Sequence, residues 1–324
     1  MNYIVFDLEW NQSPGGKAKE NPKLPFEIIE IGAIKLNENK EEIGTFQEVI
    51  RPLVYHHFHR RLKEVVPLDE SELAGARTFS RVIKDFLDWI GKEEFRFVTW
   101  GNLDVLELQR NMAYYKIPNP FPKPLFYFDL QKLYSLRYDD GKSRLALEEA
   151  AEAMKIEKTV PFHRALDDAY YTAEVMKYMD VESVKDYISV DYFRLPANRE
   201  EEIYLTFDTY SKYVSREFKD KRKAMADKMV LNLGCPKCKL PVWKKIRWFS
   251  TGSSGVYLGL VKCPRHGYVK GKIRLKKTIG DSVFAIRTTK LTDEESAVKI
   301  KTKRQALQEK RRRIRQNKKL SKTE

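Results

Sequence analysis

The stretch Ile4-Val5-Phe6-Asp7-Leu8-Glu9-Trp10 decides how this chain is read. Three apolar residues run into two carboxylates set one residue apart. In a strand, alternation turns Asp7 and Glu9 to the same face. Two carboxylates so placed each resist ionising beside the other unless water or a cation compensates them. A hard divalent ion such as Mg²⁺ takes oxygen ligands of this kind. The stretch is thus a candidate metal platform on a strand. Taken alone it also fits, and more simply, an ordinary strand with its acids in solvent.

Working outward, a Gly/Pro/Lys-rich loop over 11–25 separates this strand from a second over 27–36 and a third over 44–50, with Asn37-Glu38-Asn39 as the turn between them. The segment 56–67 is basic and irregular. Its His56, His57 and His59 could touch phosphates or a metal, although a solvated loop explains them as well. Phe79, Val82, Ile83, Phe86, Leu87 and Ile90 keep a helical period that ends at Gly91. A fourth strand is expected over 95–100, then a helix over 103–115 that Asn102 can cap. A short strand over 125–130 and helices over 145–154 and 165–179 follow. Three strands, then strands alternating with helices, predict an α/β chain with a mixed sheet flanked by helices.

A phosphoryl-transfer site needs more acids and a base for the attacking water. Asp104 stands at a strand-to-helix junction, in Trp100-Gly101-Asn102-Leu103-Asp104. Asp168 lies in the first turns of the last of these helices, and His163 just before it, in His163-Arg164-Ala165-Leu166-Asp167-Asp168-Ala169. Histidine titrates near neutrality and suits a general base. Together, Phe-Asp-Leu-Glu-Trp, Trp-Gly-Asn-Leu-Asp and His-x-Ala-x-x-Asp-Ala resemble the three motifs of the DEDDh 3′–5′ exonucleases, closest in flavour to the Eri/KapD-like branch. The resemblance covers about residues 1–182. It implies an RNase H-like fold and two Mg²⁺ or Mn²⁺ ions. Asp7, Glu9, Asp104 and Asp168 would be the acidic ligands and His163 the base, at the offset that separates this group from its tyrosine-bearing sister. Asp167 is a neighbour of the motif position, not a match to it. Metals held there would acidify a water and stabilise charge on the scissile phosphate, and the 3′-terminal nucleotide would leave as a 5′-monophosphate. Leu8 and Trp10 are candidate wedges or stacking groups against the terminal bases, while Phe6 reads as core.

The three cysteines fall in Cys235-Pro-Lys-Cys238 and Cys263-Pro-Arg-His266. Paired C-x-x-C and C-x-x-H knuckles are a specific zinc signature, and an odd cysteine count does not make a disulfide framework. The segment resembles a zinc ribbon in which His266 replaces the commoner fourth cysteine. Four protein ligands leave no open position, so this Zn²⁺ would be structural. Strands over 243–249 and 256–261 would form its hairpin.

Charge is split along the 324 residues: 1–180 hold 25 Lys+Arg against 30 Asp+Glu, and 181–324 hold 36 against 16, nets of −5 and +20. Such a basic half fits a polyanionic partner, nucleic acid first, with RNA favoured over DNA by the resemblance. Trp243, Arg247 and Trp248 are candidate substrate contacts, by phosphate pairing and base stacking. No apolar run reaches membrane-spanning length and no basic-then-apolar leader precedes the first strand, so a cytoplasmic protein is expected. The expected organisation is an exonuclease domain over 1–182, a helical connector over 183–228, a zinc-ribbon-like basic domain over 229–289, and a basic tail over 290–324 that is disordered or conditionally helical. The connector's Phe207, Tyr210, Val214 and Phe218 are spaced like one helix face. The tail is a candidate RNA-binding or ribosome-contacting arm, or only a solubilising one. The functional expectation is a metal-dependent 3′–5′ exonuclease acting on single-stranded nucleic acid in RNA processing. A single-stranded DNA exonuclease and a catalytically idle nucleic-acid binder are the alternatives.

Overall fold

A computed structural model describes residues 1–320 apart from Lys142, Lys239 and Ile279. The chain divides into two compact units, Met1–Arg194 and Leu195–Glu324. Among the described residues no helix is long and apolar enough to cross a membrane.

The first unit is built on β1 (Asn2–Asn11), β2 (Glu27–Leu36) and β3 (Glu42–Arg51), an antiparallel meander. After α1 (Arg60–Val65) and α2 (Glu70–Ala74), the short β4 (Arg77–Thr78) leads into α3 (Phe79–Ile90). Then come β5 (Phe95–Thr99), α4 (Asp104–Tyr114), β6 (Phe126–Asp129), α5 (Leu130–Tyr138), α6 (Leu147–Ala153), α7 (Ala165–Tyr178) and β7 (Ser189–Val190). The sheet order is β4-β3-β2-β1-β5-β6-β7, with β5 parallel to both β1 and β6. This is the mixed sheet flanked by helices that the sequence predicts.

Strand alternation sorts the core into two layers. Ile4, Phe6 and Leu8 of β1 pack with Val82, Phe86 and Leu108 of α3 and α4. Val5 lies on the other face with Val98, Tyr171 and Val175, the latter two from α7. Asp7 and Glu9 share the face of Val5, so α7 is the helix that meets them. Helix α3 stops where Gly91 turns to φ 80° and its N–H donates back to the Leu87 carbonyl, 3.2 Å.

Three local expectations change in this unit. The segment 56–67 contains α1, which buries Leu62 with Phe58, Ile29 and Leu73. Asn102 does not cap α4: Leu103 holds that position and no N-cap side chain bonds the helix, while the N–H of Asp104 bonds that residue's own carboxylate. The helix α5 grows directly from β6, because the Asp129 carboxylate accepts from the Lys132 N–H at 2.9 Å.

The second unit is a six-stranded antiparallel sheet, ordered β10-β11-β12-β13-β9-β8. Its strands are β8 (Ile203–Thr206), β9 (Tyr210–Val214), β10 (Trp243–Ser250), β11 (Val256–Cys263), β12 (Gly267–Lys277) and β13 (Val283–Thr292), with short helices α8 (Lys221–Ala224) and α9 (Lys228–Leu231) before β10. The expected helical connector is therefore a hairpin and part of this sheet. Phe207 and Tyr210 are three apart because their rings stack across the turn, centroids 4.2 Å apart, and β9 is held by pairing with β13, some 75 residues away in sequence. The basic tail forms α10 (Glu294–Leu320), whose Ala297 and Ile300 pack on Ile246 and Leu260.

Candidate active site

The centre of β1 carries the acids. Asp7 and Glu9 project from the α7 face, and α7 brings Asp168 to them. Ligand oxygens of Asp7, Glu9 and Asp168 all lie within 4.8 Å of one another. Asp104, on the first turn of α4, stands outside that trio but acts on it: after burial, its charge is the largest influence on Asp7.

Two features that the sequence reading passed over put α7 in place. Gly32 of β2 pairs with Asp7. A Cβ on Gly32 would stand 2.0 Å from the Leu166 nitrogen and 2.1 Å from the Ala165 carbonyl carbon. Only a residue without a side chain lets the start of α7 lie on the sheet there. The second feature is Glu30, fully buried and paired across the strands with Glu9. Its carboxylate accepts from Arg164 Nε at 3.1 Å to both oxygens and Nη2 at 2.8 Å, from Gln47 Nε2 at 2.9 Å and from the Ala165 N–H at 3.3 Å. A buried carboxylate demands such a set of donors. The acid interrupting the apolar run Ile28-Ile29-Glu30-Ile31 was the available signal, since it requires a cationic partner. Arg164 adjoins His163, so the clamp fixes the backbone that carries the histidine.

His163 is exposed and holds φ 74°, a left-handed conformation unusual for a residue with a side chain. Its N–H donates to Asp168 Oδ1 at 3.4 Å, and its imidazole is close enough for its charge to lower the Asp168 carboxyl. His56, His57 and His59 lie apart from the acids: His57 faces Glu70 at 3.8 Å. Leu8 is 3% exposed and packs in the core with Ile4 and Phe6, which leaves it no face to offer a base. Trp10 is half-buried against Phe26, ring centroids 5.5 Å apart.

The acids repel one another strongly. Burial, then Asp104, Glu9, Asp168 and Glu30, pushes Asp7 well above the usual carboxylate range. Burial, then Asp168, Glu30 and Asp104, pushes Glu9 up to about 8. Burial raises Asp104 to about 7 against N–H groups of its own residue and Leu8, and raises Asp168 to about 6 against the His163 N–H. Four oxygen-donor side chains that can be ionised together only beside a cation fit a divalent metal site.

A family model for exonucleases, RNase T type, matches residues 4–176, which span this fold and every one of these groups. The chain belongs to the exonuclease family. It is therefore a nuclease. The exonuclease region is similar to the "probable 3′–5′ exonuclease KapD" of Bacillus subtilis (strain 168), 28% identical over 185 residues that cover 57% of this chain and 86% of KapD. It is similar to "DNA polymerase III PolC-type" of Clostridium perfringens (strain 13 / Type A), 28% identical over 207 residues, 60% of this chain but 13% of that polymerase. It is also similar to "3′–5′ exoribonuclease 1" of Homo sapiens, 26% identical over 164 residues, 48% of this chain and 46% of that protein.

Beyond the exonuclease match, the second unit gathers Cys235, Cys238, Cys263 and His266, with donor atoms all within 4.8 Å of one another. Cys235 Sγ lies 3.5 Å from His266 Nδ1, and Cys238 Sγ 3.5 Å from Cys263 Sγ. Burial opposes the Cys263 thiolate, yet N–H groups of His266 and Arg265 bring the thiol down to about 6. Three sulfurs and an imidazole converging in this way fit tetrahedral Zn²⁺. Of the candidate contacts in this unit, Trp243 is 59% exposed and Arg247 is exposed. Trp248 is not offered to a ligand. Its indole N–H donates to the Leu231 carbonyl at 2.9 Å, and its ring occupies the space left by Gly259 and Gly271.

Proposed function

We propose that the chain is a metal-dependent 3′–5′ exonuclease that releases 5′-monophosphate nucleotides from single-stranded nucleic acid, with RNA the preferred substrate. The convergence of Asp7, Glu9 and Asp168, with Asp104 acting on them, carries this reading. These four acids would hold two Mg²⁺ or Mn²⁺ ions. Bound there, the ions would supply Lewis acidity for the attacking water and charge neutralisation at the phosphate. His163 acts as general base: its exposed imidazole stands beside Asp168 on a backbone held by the Glu30–Arg164 clamp. The preference for RNA is supported by similarity to 3′–5′ exoribonuclease 1 of Homo sapiens. The similarity to PolC keeps single-stranded DNA as the second reading. The second unit is proposed as a zinc ribbon, its Zn²⁺ structural, that contacts nucleic acid through Trp243 and Arg247.

The test is incubation of 5′-labelled RNA and DNA oligonucleotides with protein and Mg²⁺ or Mn²⁺. A ladder shortening from the 3′ end is expected, faster on RNA, abolished by EDTA and by Asp7→Ala. His163→Ala should slow it by about 10²–10⁴-fold. Oligonucleotide that is bound but never trimmed would identify a catalytically idle binder and sink the proposal.

A further inference from the structure

The second unit, residues 195–324, holds 34 Lys+Arg against 13 Asp+Glu, a net of +21. Most of these cations stand in solvent, but Lys270 and Lys272 of β12 are half-buried. On β12, alternation puts Tyr268, Lys270, Lys272 and Arg274 on one face and Val269, Gly271 and Ile273 on the other. The first face is the one α10 lies against. Ala297 and Ile300 pack there with Leu260, Ile246 and Tyr268, the Lys301 ammonium stands 5.4 Å from the Tyr268 ring, and Arg311 Nη2 donates to the Ser250 carbonyl at 3.3 Å. The tail is thus packed against this face and is not a free arm.

This face gathers like charges beside α10. Lys272 is half-buried, and the charges that act on it are Arg274, Lys303 of α10 and Lys270, all cationic. Lys270 is partly offset by Asp293. A half-buried ammonium surrounded by cations is unfavourable in the free protein, and an anion on this face would relieve it. Residues two apart on a strand stand about 6.8 Å from each other. Lys270, Lys272 and Arg274 therefore form a row that successive phosphates of an extended strand can meet.

We propose that the face between β12 and α10 is a phosphate-binding track for the backbone of single-stranded nucleic acid, centred on Lys272 and walled by Lys303. The identity of the anion rests on the nuclease reading above; the existence of the track rests on the cation cluster. The track reads phosphates and no base sequence, so it would add affinity without selectivity.

The test uses the full chain carrying Asp7→Ala to prevent trimming, in buffer without chelator, with a fluorescein-labelled 15-nucleotide oligouridylate and fluorescence anisotropy across a salt series. Each single-strand phosphate contact contributes about 0.7 to the slope of log K against log salt, or about 4-fold in affinity at 0.15 M. Lys272→Gln/Lys303→Gln should therefore weaken binding by about 14-fold and flatten the slope by about 1.4. Its Tm should stay level or rise, because a repulsive cluster is relieved. Lys272→Arg/Lys303→Arg should restore binding. A second double, Lys219→Gln/Lys223→Gln, removes the same charge from an exposed part of this unit and should change affinity by less than about 2-fold. Equal losses in both Gln doubles would mean diffuse charge only and would overturn the track. A loss accompanied by a lowered Tm and not restored by arginine would mean a structural role, and overturns it equally. Wild-type trimming of a dinucleotide is measured alongside with added Mg²⁺. Trimming without oligonucleotide binding defeats the track alone, and neither trimming nor binding defeats both readings.

Discussion

Gly32→Ala tests how the acids come together. In wild type, a Cβ at this position would stand 2.0 Å from the Leu166 nitrogen, where ordinary contact begins at 3.4 Å. The obstacle is backbone on both sides, so no side-chain rotation relieves it, and the start of α7 must withdraw by about 1.4 Å. Asp168 is two residues further along that helix, and its oxygens must stay within 4.8 Å of those of Asp7 and Glu9. A misplacement of about 1 Å in a catalytic group costs on the order of 10²-fold in rate. The expected outcome is a loss of at least about 10²-fold in kcat for oligonucleotide trimming. Overpacking should also lower stability by about 1–3 kcal/mol, at about 2–4 °C of Tm per kcal/mol for a unit of this size. Rates are therefore measured well below the variant's Tm. Gly44→Ala is the control, because its Cβ would meet only Trp89 Nε1 at 3.6 Å. If Gly32→Ala keeps kcat within about threefold of wild type, the close approach of α7 does not position Asp168 and the reasoning fails.

Two further predictions concern metals. Burial and mutual repulsion raise Glu9 to about 8, Asp104 to about 7 and Asp168 to about 6, so the metal-free folded unit holds protons that the unfolded chain has released. Stability then falls as pH rises from about 4.5 towards 8, by about 1.4 kcal/mol per pH unit for each whole proton. In EDTA the Tm of the exonuclease unit should rise on acidification from pH 8 to 5.5, and the gain from added Mn²⁺ should be largest at pH 8; a Tm flat across that range would contradict the clustered acids. For the second unit, elemental analysis should find about one zinc per chain in wild type and none in Cys263→Ser, and a wild-type protein that takes up no added Zn²⁺ would refute the knuckle assignment.

The site was legible in sequence to the extent that local order encodes it. Asp7 and Glu9 share a face because a strand alternates, and the cysteine knuckles declare themselves by spacing. Glu30, Arg164 and Gly32 were not read, since each acquires its role from a partner more than a hundred residues away: Glu30 with Arg164, Gly32 with Leu166. The spacing of Phe207, Tyr210, Val214 and Phe218 in the connector predicts a helix, and the hairpin 203–214 departs from it for the same reason. That short hairpin gains its stability from β13, and a strand at a sheet's interior is specified by its neighbours as much as by its own pattern.

The sequence by itself determined the mixed α/β class with helices flanking the sheet, the candidate acids and the four thiol and imidazole donors. Periodicity and short-range spacing are local properties, and they survive without knowledge of the fold. Only the tertiary structure decided which acids touch, that Leu8 and Trp248 are packing residues, and that the basic tail docks on β12. Those outcomes depend on burial and on the proximity of distant segments. The repulsion that Asp7 and Glu9 begin as strand neighbours deepens when α4 and α7 bring Asp104 and Asp168 to the same strand.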